Sequence, residues 1–114
     1  MTTLDPTLFL PEPDPREVKY TVISIDDHVC EPAHTFEGRL PAKLQDRAPR
    51  IVLNEHGHEV WQFEGETFSQ VGMNALAGRR PETVKLEPFR FEHMRPGCYD
   101  ATARVRDMDI GGIW

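Results

Sequence analysis

Asp26 and His28 are the two residues of this 114-residue chain best suited by type and spacing to do chemistry. They follow the run Tyr20-Thr-Val-Ile-Ser-Ile25, which is β-branched, apolar on both faces and reads as a buried strand. Side chains two apart on an extended backbone project to the same side, so a carboxylate and an imidazole converge beyond the strand's carboxyl end. Both are suitable ligands for Zn²⁺ or another divalent ion, and in a parallel α/β barrel that end of a strand carries the active site. Taken alone, Asp-x-His describes an ordinary strand-end cap or surface pair equally well.

Other residues have weaker claims. Glu31 could hydrogen-bond to a ligand, or Glu31-Pro32 simply shapes the loop leaving the strand. Cys30 shares the side-chain parity of His28 and reads as a small buried thiol. His34 follows and reads as exposed. His56-Gly57-His58 imitates a metal-binding His-x-His pair, yet it falls on a glycine-containing turn with only Glu55 and Glu59 near it. Arg79-Arg80 could clamp a substrate carboxylate, against the plainer reading of solvated loop charges. Trp61, Phe63 and Phe68 are expected to form a local core.

The elements that must position these groups come next. Residues 1–19 form a proline-rich arm, with four of the ten prolines among the first fifteen residues, and are expected to be extended and poorly ordered. Pro41 opens a short helix through Leu44 and Gln45. Arg50–Leu53, Glu59–Phe63 and Glu66–Phe68 predict an antiparallel β meander over about 50–68, with Asn54–His58 as a hairpin loop and Glu64-Gly65 as a second turn. Residues 70–97 read as a long irregular loop. Asp100 is a good N-cap for a helix over about 100–109 with Ala101, Val105 and Met108 as its buried stripe, stopped by Gly111 and Gly112. Ile113 and Trp114 begin what reads as a further buried strand.

Composition closes off several function classes. A net charge of −6 argues against a sequence-independent grip on nucleic acid and against adhesion to an anionic membrane. No apolar run approaches the roughly 18 residues of a transmembrane helix, and no secretory signal opens the chain. Cys30 and Cys98 lack Cys-x-x-Cys spacing and suggest no disulfide framework, so a reducing cytoplasm is the expected setting. There is no phosphate-binding glycine loop and no Gly-x-Ser-x-Gly elbow.

Ser24-Ile-Asp-Asp-His-Val-Cys-Glu-Pro32, with Phe36 and Arg39-Leu-Pro41, resembles the opening of the amidohydrolase-related family, in the branch of aminocarboxymuconate-semialdehyde decarboxylase and the resorcylate-type decarboxylases. Arg95-Pro-Gly-Cys-Tyr-Asp100, Ala103-Arg-Val-Arg-Asp-Met-Asp109 and Gly112-Ile113 are similar to that family's first barrel helix and its passage into strand two. The resemblance implies that Asp26 and His28 hold a divalent metal, zinc or manganese. The implied chemistry is hydrolysis or decarboxylation of a small carboxylated or cyclic substrate, and the implied assembly is a homo-oligomer.

Those readings together predict an α/β fold: over 20–114, the N-terminal part of a (β/α)8 barrel carrying an inserted meander. A closed barrel needs at least about 200 residues, so the expectation is a fragment inactive by itself. The alternative is a small non-catalytic α+β binding or assembly module with the meander as its working surface.

Overall fold

In the computed structural model, residues 3–68, 71–72, 75–84 and 90–114 are described. Alternating apolar residues on either side of two turn signals give β1 (Arg50–Leu53), β2 (Glu59–Phe63) and β3 (Glu66–Phe68), an antiparallel sheet in the order β1-β2-β3. Asn54 closes the first loop through its side-chain oxygen, which accepts from the His56 and His58 amides at 2.9 Å each. The second loop needs two residues at positive φ; Glu64 lies at 52° and Gly65 at 84°, the backbone twist that suits a two-residue hairpin. Ile51 pairs with Trp61 and Trp61 with Phe68, a line of apolar side chains across one face.

Two helices complete the α+β unit. The first, α1 (Ala42–Gln45), is a single turn opened by Pro41. The second, α2 (Ala101–Gly111), starts where Asp100 Oδ1 accepts from the Ala103 amide at 2.7 Å and ends at Gly112 in the left-handed conformation. Three single 3-10 turns, Pro81–Thr83, Phe91–His93 and Pro96–Cys98, organise part of the segment read as irregular loop; residues 70, 73–74 and 85–89 of that segment lie outside the described residues.

The core is drawn from unexpected places. Phe9, Val60, Val71 and Met94 are buried, only one of them from the meander. Gly72 lets the backbone approach Met94 so closely that an added Cβ would stand 2.0 Å from its sulfur. The proline-rich arm, read as poorly ordered, inserts Phe9 into this core and pairs Phe9 with Arg79 in an antiparallel bridge. Leu10 N donates to Gly78 O and Arg80 N to Leu8 O, both at 2.9 Å. One aromatic ring and a few backbone hydrogen bonds offset the entropy that the prolines alone leave unopposed.

Several expectations need correcting. Among the described residues the sheet is antiparallel, and the parallel pairing is one isolated bridge, Val22 with Ile113, supported by a Trp114 N to Val22 O hydrogen bond of 2.8 Å. The predicted strand Tyr20–Ile25 is otherwise irregular and exposed. A strand apolar on both faces holds its shape only between neighbours, and here it has one residue's worth of neighbour. Ala101 and Val105 of α2 face solvent instead of forming a buried stripe; Ala103, Arg104, Asp107 and Met108 are half-buried. Arg95 forks onto Asp107 of this helix. Phe63 and Phe68 are also exposed, while on the same sheet face Trp61 is half-buried against the edge-on ring of Phe36 at 5.7 Å.

Candidate functional site

The two predicted ligands do meet. Asp26 Oδ1 and His28 Nε2 lie 3.0 Å apart, on side chains that are 90% and 86% exposed. Backbone irregularity has not separated them, because residues i and i+2 of any extended segment keep the same side. Their neighbour Asp27 turns the other way, to Arg104 of α2 at 3.1 Å. Its carboxyl is held below the usual aspartate range by a hydrogen bond from the Ser24 side chain and then by Arg104. Arg104 also reaches the His28 carbonyl at 3.5 Å. One guanidinium therefore ties the Asp26–His28 segment to α2.

What this pair can do follows from its geometry. Neighbouring ligands on a tetrahedral zinc with bonds of about 2.0–2.1 Å stand roughly 3.3 Å apart, close to the separation seen here. Carboxylate oxygen and imidazole Nε2 are a fitting half of a donor set. Among the described residues no group of three or more His, Cys, Asp or Glu side chains converges, so a third protein ligand is not supplied by them. Glu31 and His34 are exposed and do not join the pair.

His56 and His58 sit where the turn puts them, with ring centroids 5.8 Å apart and tilted by 46°. His56 is exposed and lies 3.4 Å from Glu55. The loop end of this hairpin is pinned from outside: Arg90 Nε donates to Gly57 O at 2.9 Å, and the Phe91 amide donates to Glu59 Oε2 at 2.6 Å.

Arg79, considered above as a carboxylate clamp, is used up internally. Its guanidinium donates to His93 O at 2.8 Å and to Thr83 O at 2.7 Å, and lies 5.7 Å above the Phe9 ring. Arg80 donates to Pro6 O at 2.8 Å. Both arginines bind the arm and its loop.

A cleft of about 400 Å³ lies on the other side of α2, bordered by Leu4, Glu12, Arg95, Tyr99 and Arg106. Its arginines are already matched. Arg95 forks onto Asp107 with two bonds of 2.7 Å and reaches Glu12 at 3.0 Å, while Arg106 embraces the same Glu12 carboxylate. Hydrogen bonding from Arg106 holds the Glu12 carboxyl below its ordinary range, and Asp107 raises the Arg95 guanidinium above its own.

Sequence reasoning missed one juxtaposition. Cys30, two residues beyond His28, donates its amide to the Cys98 carbonyl at 2.7 Å across 68 positions of chain. Burial pushes both thiols above the ordinary cysteine range. Nothing in their sequence spacing signals this, since it depends on how the 3-10 turn Pro96–Cys98 folds back.

No helix among the described residues is long and apolar enough to cross a membrane. No family model matches the chain, and no curated protein matches it.

Proposed function

We propose that this chain provides the first strand, first helix and first two metal ligands of an amidohydrolase-like hydrolase or carboxy-lyase that acts on a small carboxylated or cyclic substrate. The observation that carries the reading is the convergence of Asp26 Oδ1 and His28 Nε2 at 3.0 Å directly after an apolar, β-branched segment. The parallel bridge from Val22 to Ile113, with α2 between them in sequence, supports the same reading. That order is the start of a βαβ unit. Tyr20, Ile23 and Ile25 are 80%, 70% and 96% exposed, as expected of a barrel strand without its remaining neighbours.

Asp26 and His28 would hold the divalent ion, zinc or manganese, and the metal would supply Lewis acidity toward a substrate oxygen or water. Asp27 and Arg104 position that segment without touching the ion. With two protein donors where a catalytic zinc usually has three, the chain by itself binds metal weakly and does not turn over. The finished enzyme, an expected homo-oligomer, would draw its remaining ligands from other strands.

The test is a Zn²⁺ titration of the purified chain followed by the histidine ring signals in ¹H–¹⁵N NMR. The expected result is that His28 moves first and that Asp26→Asn weakens its response by roughly 10-fold or more. If His56 and His58 shift while His28 stays put, the metal reading of the Asp26–His28 pair is lost. Metal-dependent turnover by the isolated wild-type chain would instead overturn its assignment as an incomplete site.

A further inference from the structure

We infer that Cys30 and Cys98 are a redox-active pair, able to close into an intramolecular disulfide that staples the segment following His28 to the turn preceding α2. The placement rests on backbone geometry and does not depend on the metal reading. The amide of Cys30 donates to the carbonyl of Cys98 at 2.7 Å. With covalent bonds of about 1.2–1.5 Å on either side of that contact, the two Cα atoms stand within roughly 7 Å, a separation that overlaps the span of about 4.4–6.8 Å that a disulfide bridges. Cys98 is itself fixed, since its amide donates to Arg95 O at 2.9 Å at the close of the 3-10 turn.

Both side chains are free thiols on half-buried residues. In the reduced form Cys30 Sγ rests 4.0 Å from Met94 Sδ, at the rim of the core. Closing the bond requires Cys30 to give up that contact and rotate toward Cys98.

The oxidant is a low-molecular-weight disulfide, R–S–S–R. One protein thiol loses its proton and its thiolate attacks a sulfur of R–S–S–R, expelling RS⁻, which takes up a proton to become RSH. The second thiol loses its proton and displaces the remaining RS⁻ from the mixed disulfide, and that too leaves as RSH. Two thiols are oxidised to one disulfide, and one R–S–S–R is reduced to two RSH.

Oxidation would tether the segment that follows His28 to the turn preceding α2. Reduced protein is incubated with excess oxidised glutathione under native conditions, quenched with acid, and mapped by proteolysis and mass spectrometry. The expected product is a monomer with no glutathione attached, a Cys30–Cys98 cross-linked peptide, and a melting temperature about 10 °C above that of the reduced form. Cys98→Ser should trap the glutathione adduct on Cys30 that the wild type resolves. Stable adducts on the wild type, cross-links only between chains, or thiols that react only after denaturation would each overturn the pairing. The wild-type peptide map decides the matter even if the serine variant fails to fold.

Discussion

The segment that carries the chemistry and the region that carries the fold are different parts of this molecule. Residues 20–29 hold Asp26 and His28 on a backbone with one β-bridge, and Tyr20, Ile23, Ile25 and Val29 are all at least 70% exposed. The region around Met94 is the reverse. Phe9, Val60, Val71 and Met94 are buried, and Arg79, Arg90 and Arg95 satisfy carbonyls and carboxylates. Apolar content alone does not explain the contrast, because the exposed segment is the more hydrophobic in sequence. What differs is the supply of neighbours. Phe9 and Met94 are buried from distant parts of the chain, whereas among the described residues the backbone of the Tyr20–Ile25 run pairs with Ile113 and Trp114.

Core truncation gives the largest expected effect and the sharpest form of this comparison. Met94→Ala or Phe9→Ala should cost roughly 3–4 kcal/mol in urea unfolding, the usual range for emptying a fully buried site. Ile25→Ser should change stability by no more than about 0.5 kcal/mol, as for an exposed position. Equal losses at Met94 and Ile25 would mean that residues 20–25 are packed in solution and that the contrast is false.

Arg95→Ala comes next. It removes a largely covered guanidinium and leaves Asp107, itself 22% exposed, without its two 2.7 Å bonds. A loss of about 1–3 kcal/mol is expected, discounted from a fully buried pair for partial solvent access. A change indistinguishable from wild type would show that α2 is held by something other than this fork.

The smallest effect concerns the arm and depends on pH. Glu12 is held below its ordinary value of 4.5, first by hydrogen bonding from Arg106. A carboxyl depressed by folding contributes stability that is fully present above its unfolded value and is lost as pH falls through the folded one. Melting temperatures of the wild type should therefore decline below about pH 4.5 more steeply than those of Glu12→Gln. Above that pH the variant should be the less stable of the two. Parallel curves would place Glu12 outside the folding equilibrium and leave the arm anchored by residues 6–10.

Local physics made several features legible without coordinates. Turn chemistry at Asn54 and at Glu64-Gly65 announces the meander, Asp100 announces the start of α2, and the two-residue spacing of Asp26 and His28 makes them converge on any extended backbone. Each depends on interactions spanning only a few residues. The burial of Phe9 and Met94, the exposure of Phe63 and Phe68, and the loss of the strand over Tyr20–Ile25 were decided by tertiary structure. So was the meeting of Cys30 with Cys98. Hydrophobicity says that a side chain gains by leaving water, but only the folded chain decides which surface is there to receive it.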